Sequence, residues 1–247
     1  MACEVMGIVN VTPDSFSDGG TFFSVEEAVR RARHVVEEGA SFVDLGGEST
    51  RPGATPLSWE EEWARLEPVF AALEEGGILR GGKARLSIDT YHVETAARAI
   101  ERGARVVNCV YKESVPKMAH LLLDHPTVEL VFPARLPDPL AAIPPTLRAP
   151  LDGRLYLDPM IGFGTTREED LAILKSISEL ASHGRVLVGA SRKRIVKRLT
   201  GEKVTGKDLA GNLAIALWAV SEGASVIRVH DVRETAQALR VLSALEG

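Results

Sequence analysis

Short runs of aliphatic and β-branched residues alternate with stretches of helical period along nearly the whole chain. The first run is Val5-Met6-Gly7-Ile8-Val9-Asn10-Val11, and the stretch after it puts Val25, Ala28, Val29, Ala32, Val35 and Val36 on one helical face. Further runs fall at 42–45, 85–89, 106–110, 128–132, 155–158, 186–190 and 225–229. The intervening stretches read as helices. Ser24 with Glu27, Ser58 with Glu61, Thr166 with Glu169 and Asp231 with Glu234 have capping-box spacing at four of their starts. A long helix is expected over about 208–221.

Eight strand candidates with helices between them predict an α/β fold, a (β/α)8 TIM barrel, in a single domain spanning 1–247. The runs are continuously apolar, as strands covered on both faces are. An open doubly wound sheet is the competing arrangement, but no G-x-G-x-x-G turn follows the first run.

One stretch breaks the rhythm. Pro133, Pro137, Pro139, Pro144, Pro145 and Pro150 crowd the fifth crossover, so no regular helix crosses Pro144-Pro145 and the fifth helix should be degenerate or missing. That would bare Val107, Leu130 or Leu157 on the outer wall. Leu136, Leu140, Ile143 and Leu147 recur every three to four positions and could fold back as an irregular flap over it.

Composition then narrows the function. A net charge of -5 supplies no basic field for nucleic acid. No apolar run approaches the roughly 18 residues of a membrane span. The first eleven residues do not read as a signal peptide. Two cysteines, Cys3 and Cys109, give neither a disulfide framework nor a zinc pattern, so a reducing, cytoplasmic setting is expected. Cys109 reads as a small buried hydrophobe. His34, His92, His120, His125 and His183 read as structural or solvated, and Trp59, Trp63 and Trp218 as packing residues.

In a barrel, chemistry sits at the C-terminal ends of the strands. Almost every run here ends in a polar residue: Asn10, Asp44 (with Glu48 after it), Asp89, Asn108, Asp158, Ser191 with Lys193, and Arg228 with His230. Any one of them could be a local cap, but their recurrence at the same end is hard to explain that way. Asp89, Asn108 and Asp158 suit a planar ligand with several N–H donors. Arg51, Lys193, Arg228 and His230 suit phosphate. Asn10 offers a neutral oxygen to Mg2+ held mainly by phosphate and water. Two glycine-bearing loops, 12–20 and 46–53, are candidate lids.

The stretches Gly7-Ile8-Val9-Asn10-Val11-Thr12-Pro13-Asp14-Ser15-Phe16-Ser17-Asp18-Gly19-Gly20 and Asp44-Leu45-Gly46-Gly47-Glu48-Ser49-Thr50-Arg51-Pro52-Gly53 resemble the signatures of dihydropteroate synthases. Ser87-Ile88-Asp89-Thr90, Asp158-Pro159-Met160-Ile161-Gly162-Phe163-Gly164, Ser191-Arg192-Lys193 and Arg228-Val229-His230-Asp231 follow in that family's order. The resemblance implies a homodimer that uses Mg2+ to join 6-hydroxymethyl-7,8-dihydropterin diphosphate to p-aminobenzoate. It implies a pterin site of Asp89, Asn108, Asp158 and Lys193, a metal ligand in Asn10, and diphosphate ligands in Arg228 and His230. Thr50, Arg51, Pro52 and Ser191 would shape the aminobenzoate site. Lys193, Asp89, Arg228, Asp14 and Arg51 would form the catalytic set.

The chain departs from that family at Cys109, where Asp is usual, at Phe132-Pro133-Ala134 in place of Met-His-Met, and at Thr165 in place of Lys. Two other readings follow from these departures: a pterin-binding paralogue without synthase activity, and a protein like the folate-dependent methyltransferases.

Overall fold

The computed structural model describes residues 3–12, 25–49, 55–77, 84–204 and 206–247. Eight parallel strands close into a barrel in chain order. They are β1 (Glu4–Asn10), β2 (Phe42–Gly46), β3 (Arg85–Asp89), β4 (Val106–Asn108), β5 (Glu129–Pro133), β6 (Leu155–Asp158), β7 (Arg185–Val188) and β8 (Val226–Val229). The barrel is the expected fold, and β3 and β6 coincide with their predicted bounds.

The helices pack outside. They are α1 (Val25–Glu37), α2 (Trp59–Glu75), α3 (Val93–Glu101), α4 (Val115–Leu121), α5 (Pro145–Arg148), α6 (Arg167–Lys175), α7 (Ile177–Ala181), α8 (Arg194–Thr200), α9 (Leu209–Ser221) and α10 (Val232–Glu246). Capping boxes open α2 at Ser58 and Glu61 and α6 at Thr166 and Glu169, as their spacing predicts. Ser24 lies outside the described residues. Asp231 stands at the N-cap position of α10 but does not cap it. Its carboxylate instead accepts a 2.7 Å bond from Arg192, a stronger partner than a backbone N–H.

Alternation along the strands fills the barrel in layers. At the N-terminal end Arg85 bonds Glu4 and Glu129, and Arg185 bonds Glu129 and Tyr156. Above them Met6, Phe42, Val106, Val131, Tyr156, Leu187 and Val226 form a buried apolar plug. One step further along the same faces come Asp44, Ser87, Asn108, Asp158 and Arg228. The plug keeps water out from below, so this polar layer opens only toward the C-terminal mouth.

The fifth crossover is reduced to a single turn, α5, with proline at its first position, where a missing N–H costs nothing. The flap expected from the sequence is present. Of its four expected residues, Ile143 and Leu147 are buried in the same cluster as Val107, Leu130 and Leu157, Leu140 packs on it partly buried, and Ala142 and Leu151 join it in place of Leu136. Arg148 ties the turn together by donating to Ile143 O and Leu140 O. Ile143→Ala should therefore behave as a core truncation and cost about 2–4 kcal/mol in urea unfolding. A loss under about 0.5 kcal/mol would mean the flap does not cover the wall.

Candidate active site

Polar side chains converge at the mouth from six strands. Arg228, on β8, donates Nε to Asp44 Oδ2 at 2.7 Å and Nη2 to Asp89 Oδ2 at 2.5 Å. Asp44, on β2, is fully buried and also accepts from Ser87 Oγ at 2.5 Å and Asn108 Nδ2 at 3.2 Å. The other end of the Asn108 amide, Oδ1, is buried with no hydrogen-bond partner. A buried carbonyl oxygen in that position has an unused capacity to accept a hydrogen bond.

Burial pushes the Asp89 carboxyl up to about 7, against the pull of Arg228, with Asp44, Glu62 and Asp158 adding to the rise. Burial also raises Asp158, against Lys193 and a backbone bond from Met160. Burial lowers Lys193 to about 8, with Asp158 opposing the shift. For Arg228, burial alone would favour the neutral form, but Asp44 and Asp89 more than reverse it and its pKa is raised. Loss of water thus brings Asp89 and Lys193 toward neutrality from opposite sides.

Backbone geometry sets the Asp158–Lys193 side. Asp158 Oδ1 accepts from Met160 N–H at 2.7 Å, and Met160 itself has a φ of 58°. Lys193 reaches over from the start of α8 to donate to Ile161 O at 2.7 Å, with Nζ 4.4 Å from the centre of the Phe163 ring. Gly162, at a φ of 78°, makes that approach possible, since a Cβ there would lie 3.0 Å from Lys193 Cδ. Thr165 accepts from Gly162 N–H and donates to Asp170.

The expected site residues are brought together wherever they are described. Asn10 ends β1 beside Asp89: the place of a Cβ on Gly46 is 3.9 Å from Asn10 Oδ1 and 3.8 Å from Asp89 Oδ2. Ser191 Oγ lies 3.1 Å from His230 Nδ1. Asp14, Thr50, Arg51 and Pro52, and most of both candidate lids, lie outside the described residues. Cys109 is buried and pushed up to about 12 by that burial, which fits a packing thiol.

Sequence reasoning missed several partners. Asp44 stood out as a strand end but not as the carboxylate that binds Arg228, and Ser87 was not singled out. Asn212, whose Oδ1 accepts from Arg192 N–H at 3.0 Å, is the one amide in the apolar run of α9 and could have been found that way. A second network lies behind β3. Tyr91 Oη donates to Glu48 at 2.8 Å and Thr90 Oγ1 to buried Glu62 at 2.7 Å. His34 pairs at 3.0 Å with Glu38, just past the end of α1. Trp218 is 47% exposed rather than packed, although its Nε1 donates to Leu174 O.

The pattern that defines the pterin binding enzymes matches residues 6–134 and 149–230. The chain belongs to the dihydropteroate synthase family of pterin-binding enzymes. The dihydropteroate synthase of Neisseria meningitidis is 36% identical, over 98% of this chain and 92% of its own. That of Bacillus subtilis is 34% identical, over 98% and 88%. Among solved structures, Xanthomonas albilineans dihydropteroate synthase with 4-aminobenzoic acid superposes with a TM-score of 0.87 at 37% identity, covering 100% of this chain and 94% of that one. The same enzyme in complex with 7,8-dihydropteroate gives a TM-score of 0.84 at 34% identity, with the same coverage. The matched range breaks at 135–148, the proline-rich flap.

The Asp89 shift has a consequence for stability in this dihydropteroate synthase fold. Its folded pKa lies above the unfolded value of about 4, so the folded state binds the proton more tightly. Stability of the ligand-free protein should fall as pH rises from about 4 to 7, and Asp158 adds in the same direction. Asp89→Asn should flatten that slope in urea unfolding between about pH 4 and pH 7. An unchanged slope would remove Asp89 as its source.

Proposed function

We propose that this chain is an active dihydropteroate synthase, joining 6-hydroxymethyl-7,8-dihydropterin diphosphate to p-aminobenzoate with release of diphosphate. The observation that carries the reading is the acceptor set of buried Asp158, half-buried Asp89 and the unpartnered Asn108 Oδ1, with the Lys193 ammonium beside it. A pterin's N–H edge would face the acceptors and its ring carbonyl the ammonium. Full-length likeness to several synthases supports the same reading.

In the reaction, the bond from the pterin methylene to the diphosphate oxygen breaks and its electron pair leaves with the oxygen. The buried carboxylates would stabilise the electron-poor pterin that remains. The aminobenzoate amine forms the new C–N bond and loses a proton, so it needs placement more than a strong base. Ser191 and His230 would flank the leaving group, with Arg228 supplying charge from below. Asn10 fits as a hard oxygen donor to Mg2+ next to Asp89, and the ion would neutralise diphosphate.

We place the protein in the cytoplasm as a homodimer. Both cysteines are free thiols, and among the described residues no helix is long and apolar enough to cross a membrane. The pairing reading is supported by α9, an almost wholly apolar helix on which Trp218 is exposed and Leu213, Leu217 and Val220 are half-buried. A second copy would cover them. Trp218→Glu should then shift light scattering from dimer to monomer.

Diphosphate release on mixing the two substrates with Mg2+ tests the activity. Pterin binding without release would instead favour a binding paralogue. Lys193→Ala should cut turnover at least about tenfold, the factor for about 1.4 kcal/mol, because it leaves the ring carbonyl unpaired. Asp158→Asn should weaken pterin binding sharply while diphosphate binding changes little. Equal loss of both in calorimetry would point to misfolding.

A further inference from the structure

Between residues 6 and 230 the family pattern leaves one stretch unmatched, 135–148, and its first residue grips the loop that follows Asp158. The β5–β6 ladder shows how. Leu130 N–H donates to Arg154 O at 2.9 Å and Ala134 N–H to Asp158 O at 2.8 Å. A parallel ladder repeats every two residues, so its next bond would run from Leu136 N–H to Met160 O. The strand ends at Pro133 and the chain turns into the flap before that bond can form. The Arg135 side chain fills the gap, its Nη2 donating to Met160 O at 3.1 Å.

That carbonyl belongs to a residue under constraint. Met160 is buried and left-handed, at a φ of 58°, a conformation a side chain disfavours. In it, Met160 N–H points at Asp158 Oδ1. One residue thus orients the carboxylate with its N–H and is itself held through its C=O. The next two residues are tied by other means, Ile161 O to Lys193 and Gly162 N–H to Asp170. The Met160 carbonyl also accepts a longer bond from Phe163 N–H at 3.4 Å, but its shorter, charged donor at 3.1 Å comes from the unmatched segment.

We propose that Arg135 is a positioning residue for pterin recognition, holding the Met160 carbonyl so that Met160 N–H fixes one oxygen of Asp158 and leaves the other aimed at the ligand. This rests on the pterin-site reading above. Arg135 is exposed, so its removal leaves the core intact. A merely structural role would act through the flap and would affect both substrates alike.

The test measures calorimetric affinity for 6-hydroxymethyl-7,8-dihydropterin diphosphate, together with KM for each substrate. Arg135→Ala should weaken pterin diphosphate binding about three- to tenfold, the loss of one charged donor's bond. KM for p-aminobenzoate and the melting temperature should not move. Arg135→Lys, which keeps a cationic donor, should recover most of the affinity. Arg148→Ala loosens the same flap without touching Met160, and should leave pterin affinity alone. Wild-type pterin affinity in Arg135→Ala overturns the proposal, as does an equal rise in both KM values. An equal pterin defect in Arg148→Ala overturns it too, because the effect would then run through the flap. A wild-type protein that binds no pterin diphosphate overturns the functional reading itself, and the proposal with it.

Discussion

The guanidinium of Arg228 is the group on which the mouth of the barrel depends. Asp44 is fully buried, and an ionised carboxylate in that position is tolerable only with a charged partner and further hydrogen bonds. Arg228 supplies the charge, and Ser87 and Asn108 supply the bonds. Because the same guanidinium also holds Asp89, it links β8 to β2 and β3 across the interior. The Asn108 amide is turned so that its nitrogen serves Asp44, which leaves its oxygen without a partner. The unmet acceptor that a ligand would use is thus a consequence of how one buried carboxylate is satisfied.

The loops above that layer are held in conformations their residues do not favour. Met160 and Arg192, each just past a strand end, both have positive φ without being glycine. Each is secured by side chains from elsewhere: Arg135 and Asp158 for Met160, Asn212 and Asp231 for Arg192. Such strain persists only where surrounding bonds over-determine it, and here it flanks Asp158 and Lys193. The rigid barrel supplies fixed strand ends, and the strained turns convert those ends into directed polar groups.

The outer wall was solved differently at one crossover. Elsewhere helices cover the strands. At the fifth crossover, a proline-rich chain with one helical turn does the same work with Ile143, Leu147 and Leu151. Hydrophobic cover is non-directional, so an irregular segment can supply it as well as a helix. What a helix would not provide is the early departure from the β5–β6 ladder that brings Arg135 to Met160.

The order of strands and helices was legible in the sequence because period and burial are local consequences of residue type. So was the reduced fifth helix, because proline excludes helix whatever surrounds it. Asn10, Asp89, Asn108, Asp158, Lys193, Arg228 and His230 could be picked out because a barrel puts every strand end at one mouth, so position along the chain implies position in space. Their partners could not. That Arg228 pairs with Asp44 and Asp89, that Asp231 holds Arg192 rather than capping its own helix, and that Arg135 reaches Met160 depend on side chains 25 to 184 residues apart. Strand pairing and barrel closure set those distances. The sequence therefore determined which groups stand at the mouth. The tertiary structure decided which of them neutralise one another and which remain to meet a ligand, because pairing of buried charges depends on contact and the loss of water rather than on order along the chain.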